Sequence, residues 1–136
     1  MYLLDTNACI RVLNGTSESM LLRLRSHTPG EIRVCAVVKA ELYFGARKSS
    51  RVQENLLLLD RFFGPIESLP FDDSCAEHYG VIRADLERQG RPIGPNDLLI
   101  AATARAHDLT LVTNNRAEFS RIAGLRLEDW ETEPVR

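Results

Sequence analysis

An α/β fold around a parallel sheet is the architecture this 136-residue chain predicts. Two observations carry that expectation. Short apolar runs alternate with helical segments from end to end, and this alternation belongs to parallel strands covered by helices on both faces. Acidic residues recur where those runs stop, and strand exits form the ligand crevice of open α/β sheets.

Tyr2, Leu3 and Leu4 form the first apolar run, which ends abruptly in Asp5-Thr6-Asn7. That reads as a buried strand presenting a carboxylate at its tip. Asp-Thr-Asn is also a good helix cap, because each side chain accepts backbone N–H bonds. Residues 8–13 are helical, with Ile10 and Leu13 apolar, and stop at the Asn14-Gly15 turn. Thr16 or Ser17 caps a second helix through Met20, Leu21, Leu24 and His27, which Pro29-Gly30 ends. Residues 32–38 are β-branched and apolar, a second strand. A helix over 38–48 follows and carries Glu41 among apolar neighbours. Residues 52–63 form an amphipathic helix with Leu56, Leu59, Phe62 and Phe63 in its stripe, broken by Gly64-Pro65. Residues 66–69 are a third strand. Asp72, Asp73 or Ser74 caps a long helix through Glu87, ending near Gly90 with Arg88 at the end the helix dipole favours. Pro95 suits the first turn of the next helix, an Ala-rich one over 96–107 with Asp97 near its start. Residues 109–113 form a fourth strand, 117–122 a helical turn and 125–127 a fifth strand. The tail from Glu131 is polar and expected to be loose.

Length fits one domain, residues 1–136, with room for a real core. No apolar run approaches the ~20 residues of a membrane helix. The chain starts at a strand with no leader pattern, so a cytoplasmic location is expected. Cys9, Cys35 and Cys75 are odd in number and widely spaced, which suits reduced thiols better than a disulfide framework. His27, His78 and His107 are scattered, without the close His or Cys pairs of a zinc motif, so no zinc site is expected. A net charge of −2 means that any nucleic-acid contact needs a local basic patch.

Four places could share one crevice: Asp5, Glu41, Asp97 and the loop from Thr113 to Glu118. Several carboxylates together raise one another's pKa or require a cation. Hard ions such as Mg²⁺ or Mn²⁺ match an all-oxygen site, and such a site can activate water against a phosphodiester. Each acid has a plainer reading when taken singly. Asp97 complements a helix dipole, Glu41 can lie on a solvated face, Glu118 can be a surface acid, and Asn114-Asn115 can be turn residues.

The ordered set resembles the PIN-domain ribonucleases, most closely VapC-type toxins of toxin–antitoxin pairs. The matching stretches are Leu4-Asp5-Thr6-Asn7, Val38-Lys39-Ala40-Glu41-Leu42-Tyr43-Phe44-Gly45-Ala46, Arg91 through Ala101, and Leu111-Val112-Thr113-Asn114-Asn115 through Glu118-Phe119, then Gly124-Leu125 and Glu128-Asp129-Trp130. They span nearly the whole chain. The resemblance implies a three-layer α/β/α domain with a central, mostly parallel sheet of about five strands, and metal-dependent cleavage of RNA. It implies Asp5, Glu41 and Asp97 as core acids holding Mg²⁺, with Mn²⁺ as a substitute. Glu118 is a further catalytic acid, and Thr6 and Thr113 are supporting hydroxyls. Where many relatives carry Asp, Asn115 stands here, and Glu118-Phe119 matches a subgroup reading Thr-Asn-Asn…Glu-Phe. The resemblance also suggests a transfer RNA substrate, a homodimer and a small VapB-type antitoxin that places a basic side chain in the acidic pocket. The stripe over 56–63 and the Tyr43-Phe44 pair are candidate contact surfaces. Arg47, Lys48, Arg91 and Arg116 are candidates for holding the phosphate backbone, although a solvated helix end explains most of them.

Rival readings have specific obstacles. A strand-tip phosphatase of the haloacid-dehalogenase type needs a second Asp where Asn7 stands, and no Gly-x-Gly-x-x-Gly follows the first strand for a dinucleotide site. A PIN-like module that binds RNA or protein without cutting it is the alternative from another class.

Overall fold

The computed structural model describes residues 1–132; Glu133 to Arg136 lie outside it. Five parallel strands form one sheet in the order β3-β2-β1-β4-β5. They are β1 (Tyr2–Leu4), β2 (Ile32–Cys35), β3 (Glu67–Leu69), β4 (Thr110–Val112) and β5 (Leu127–Glu128). The described helices are α1 (Thr6–Asn14), α2 (Glu18–Arg25), α3 (Ala36–Lys48), α4 (Val52–Phe63), α5 (Asp73–Arg88), α6 (Pro95–Ala106) and α7 (Arg116–Phe119), with a 3₁₀ turn at Pro29–Glu31. The α/β/α expectation holds.

Order decides where a ligand can sit. From β1 the chain moves outward through β2 and β3, then returns to the other side of β1 as β4 and β5. Adjacent strands that leave in opposite directions open a crevice at their carboxyl ends, so the switch point lies between β1 and β4. Leu3 pairs with Leu111 and Leu4 with Val112, and the Asp5 N–H donates to the Val112 carbonyl at 3.1 Å. That register sets Asp5 beside Thr113, one residue beyond each strand.

Leu3, Leu4, Val34, Leu111 and Val112 are fully buried and form the centre of the core. The runs are apolar on both faces, as strands covered twice must be. Ile100, Ala101, Ala102 and Ala104 are buried on α6, and α6 packs against α5 and β4. Small side chains permit that close approach. Gly15 ends α1 at φ 62°, its N–H donating to the Val12 carbonyl; a left-handed residue there favours glycine.

Several expected boundaries shift. The strand expected over 32–38 stops at Cys35, and Ala36, Val37 and Val38 form the first turn of α3. Val38 is fully buried either way, so its branched side chain is satisfied in a helix; tertiary packing overrides β propensity. The third and fourth strands are trimmed to Glu67–Leu69 and Thr110–Val112. The last strand is Leu127–Glu128 instead of 125–127, and the helical turn near 117–122 is Arg116–Phe119. Glu131 and Thr132 are not loose. The Glu131 N–H donates to Asp129 Oδ1 at 2.9 Å, and Thr132 Oγ1 donates to Asp129 Oδ2 at 2.8 Å. The rest of that expectation falls on residues outside the description.

Candidate active site

The first acid does both jobs its sequence allowed. Asp5 is the N-cap of α1, and its Oδ1 accepts from the Ala8 N–H at 2.8 Å. It is also a buried carboxylate, 4% exposed, facing Glu41 and Asp97 closely enough to feel their charge. Burial is the main force on it and pushes its pKa up to about 6, against hydrogen bonds from Thr113 and Ala8 that lower it. Asp97 stands in the first turn of α6, delivered by the Pro92–Pro95 loop. It is likewise pushed up to about 6, first by burial and then by a proton shared with Glu118 and by the charges of Glu118, Asp5 and Glu41.

Glu41 is the sixth residue of α3 and reaches the same crevice from its side. Its Oε1 accepts from Thr6 Oγ1 at 2.7 Å. Glu118 comes from α7, where Asn115 Nδ2 donates to its Oε2 at 3.0 Å. Thr113 is 1% exposed, and its Oγ1 accepts from the Asn115 N–H at 3.0 Å, which shapes the turn that carries Glu118. The fold therefore brings together Asp5, Thr6, Glu41, Asp97, Thr113, Asn115 and Glu118.

One acid escaped the sequence reading. Glu131 raises the pKa of Asp5 through its charge. It pairs with Arg11 at 2.6 Å and accepts from Asn114 Nδ2 at 3.2 Å. The available signal was its place three residues beyond the last strand, on the same edge of the sheet as Asp5. The polarity of the following tail obscured it.

The basic candidates sit differently. Arg47 and Lys48 are exposed in the last turn of α3, roughly 9 Å of helical rise beyond Glu41, and Lys48 Nζ lies 5.8 Å over the Phe44 ring. They mark a helix end, not the crevice. Arg91 is exposed ahead of the loop to Asp97, and Arg116 is exposed at the start of α7, two residues before Glu118. The three histidines are engaged elsewhere: His27 stacks on Trp130, His78 accepts from Arg105, and His107 faces Asp72.

This donor set fits a hard divalent cation. Burial first, and the charges of neighbouring carboxylates second, raise the pKa of Asp5 and Asp97 to about 6, so the crevice gathers negative charge that a cation would compensate. The sign of the pH effect follows. Asp5 and Asp97 bind protons more tightly folded than unfolded, so the native state holds more protons below pH 6. Their contribution to the stability of the metal-free protein is therefore lost as pH rises from 3.8 to about 6. Glu31 is shifted down to about 2, and the stability it adds is lost only at lower pH. Thermal melts in EDTA check this: the midpoint drops across that window and Asp5→Asn flattens the drop, whereas a midpoint rising through the window contradicts it.

The PIN domain model matches residues 2–125. The chain is 43% identical over 129 residues to a tRNA(fMet)-specific endonuclease VapC of Shigella flexneri, covering 95% of this chain and 97% of that one. It is 41% identical over 132 residues to the ribonuclease VapC2 of Rickettsia felis, with 96% and 98% covered. The DNA-bound VapBC crystal structure from Salmonella typhimurium superposes with a TM-score of 0.89 at 40% identity, over 95% of this chain and 97% of that one.

Proposed function

The chain belongs to the PIN domain family and, within it, to the VapC ribonucleases, and from that premise we propose that it is the toxin of a toxin–antitoxin pair, a metal-dependent endonuclease that hydrolyses structured RNA. The observation that carries this reading is the convergence of Asp5, Glu41, Asp97 and Glu118 at the β1/β4 switch point. Transfer RNA is the proposed substrate class, by likeness to the Shigella enzyme. Magnesium, replaceable by manganese, is the proposed ion, and the cytoplasm the proposed site of action.

Asp5, Glu41 and Asp97 would hold the ion. When bound, it supplies a Lewis acid for the phosphate and a lower pKa for water. The chain's own residues do the rest. Ala8 N–H and Thr113 fix the Asp5 carboxylate, and Thr6 fixes Glu41. Glu118, held by Asn115, lies within hydrogen-bonding reach of Asp97, and as the acid not needed to hold the ion it can accept the proton that an attacking water gives up. Arg91 and Arg116 stand near the loop and helix that bear those acids, where a phosphate backbone would pass.

An open groove leads from the acids along α1, α3 and α4, lined by Thr6, Ile10, Glu41, Leu42, Leu58 and Leu59. An antitoxin segment with an apolar face and a basic side chain fits it: the apolar part covers Ile10 and Leu58, and the cation meets Glu41. VapBC complexes are the structures this fold superposes on. Of the expected contact stripe, Leu59 and Phe63 are core, while Leu57, Leu58 and Phe44 are exposed; we assign those exposed side chains to partner or homodimer contact.

Thr6→Val removes the hydroxyl that donates to Glu41 Oε1 while keeping the size of the side chain. Cleavage should fall about tenfold, with less than ~1 kcal/mol lost in a denaturant midpoint. Unchanged cleavage would remove Thr6 from the site. The reading as a whole is tested with purified, antitoxin-free protein and total cellular RNA, in Mg²⁺ and in EDTA. A few discrete cuts that need metal and stop on adding the antitoxin are expected. RNA bound but uncut in both Mg²⁺ and Mn²⁺ would favour a binding module.

A further inference from the structure

A second set of ligand atoms lies away from the acidic crevice, where the start of α5 meets the end of α6. Asp72 is the N-cap of α5, His107 the C-cap of α6, and Cys75 is fully buried between them. Their carboxylate oxygen, Sγ and imidazole nitrogen all lie within 4.8 Å of one another. We propose that Asp72, Cys75 and His107 form a zinc site that clasps α5 to α6.

Ordinary capping explains only part of the cluster. Asp72 Oδ1 is used, accepting from the Cys75 N–H at 3.0 Å. Asp72 Oδ2 is left facing His107 Nε2 at 3.8 Å, too far for a hydrogen bond. His107 Nε2 is buried and has no hydrogen-bond partner among the described residues. The Cys75 thiol reaches the Pro70 carbonyl at 3.9 Å and also meets Asp72 and the Thr103 hydroxyl. Three ligating atoms thus converge, and the buried His107 nitrogen among them is left without a partner. Zinc bonds of about 2.0–2.3 Å place tetrahedral ligands roughly 3.3–3.7 Å apart. The partly exposed Asp72 and His107 side chains need close by only about 1 Å to meet that spacing.

Ligand chemistry separates this site from the other one. A thiolate with an imidazole selects Zn²⁺ over Mg²⁺, whereas the crevice of carboxylates selects the hard ion. Binding converts the Cys75 thiol to a thiolate, and its one proton leaves to solvent. The fourth position is open to water beside the exposed face of Asp72. Asp97 lies at the far end of α6 from His107, so the clasp fixes the helix that delivers a crevice acid without joining in its chemistry.

Co²⁺ is the probe, added to the full-length protein in excess Mg²⁺, because thiolate ligation gives a charge-transfer absorption that carboxylates do not. One equivalent should produce the band, and Zn²⁺ but not further Mg²⁺ should abolish it. Cys75→Ser should remove it, His107→Gln should weaken cobalt affinity roughly tenfold or more, and Asp5→Asn should leave it intact. No band in the wild type, or a band that survives Cys75→Ser, overturns the proposal. Should Cys75→Ser fail to fold, His107→Gln, at a partly exposed position, decides: unchanged affinity overturns the site.

Discussion

Asp5→Asn is expected to lower RNA cleavage by about a thousandfold or more while making the metal-free protein more stable at neutral pH. A thousandfold loss corresponds to ~4 kcal/mol of transition-state stabilisation. The two effects have opposite signs because Asp5 has two roles. As a cap it needs only an acceptor for the Ala8 N–H, which the Asn carbonyl oxygen supplies. As a charge it is held in a buried place among other acids, with its pKa at about 6 instead of 3.8. That displacement is roughly two pKa units, an upper bound of about 3 kcal/mol at ~1.4 kcal/mol per unit. Neutral Asn relieves it, so a gain of about 1–3 kcal/mol is expected in denaturant melts in EDTA at pH 7.5. In saturating Mg²⁺ the gain should shrink or reverse, since the ion stabilises only a protein that binds it. Unaltered cleavage, or a variant that unfolds, contradicts this account of the site.

Trp130→Ala is expected to cost about 3–5 kcal/mol, the range for removing a large buried aromatic side chain. Trp130 is fully buried. Its ring stacks on His27 with centroids 5.2 Å apart and meets Tyr2 edge-on at 5.2 Å. Arg23 lies over the same ring at 5.5 Å, and Nε1 donates to Glu128 Oε1 at 3.1 Å. The main chain is tied as well, its carbonyl accepting from Ser19 Oγ at 2.6 Å. These contacts anchor the segment just before Glu131, the acid that completes the electrostatics around Asp5. Stability and metal affinity should therefore fall together, with a thermal midpoint lower by on the order of 10 °C or more. A loss below ~1 kcal/mol would show that the ring is dispensable.

The sequence is most legible where one residue has few alternatives. Alternating apolar runs and helical stretches dictate the sheet, and the α4 boundaries over 52–63 follow directly from periodicity and Gly64-Pro65. Asp5 stands out because it follows a strand and Asp97 because it opens a helix, while Glu41 and Glu118 sit within the helices that follow strands. What local pattern cannot carry is competition settled by packing. Val37 and Val38 read as strand but serve as the first turn of α3, since the burial of Val38 and the partial burial of Val37 satisfy them in a helix. Register is equally silent. Only the pairing of β1 with β4 puts Thr113 beside Asp5, and only the return of the chain through β5 brings Glu131 back to the first strand. The Asp72–Cys75–His107 cluster is the same case, three residues of unremarkable spacing joined by the contact of α5 with α6.

The chemistry of the new RNA ends distinguishes water from the ribose hydroxyl as the nucleophile. 5′-phosphate and 3′-hydroxyl ends are expected, formed only with a divalent ion and only when Asp5 is intact, because water attacks the phosphorus. Ends carrying 2′,3′-cyclic phosphate, produced in EDTA and by Asp5→Asn alike, would show that the ribose hydroxyl is the nucleophile and that the clustered carboxylates are not what cuts.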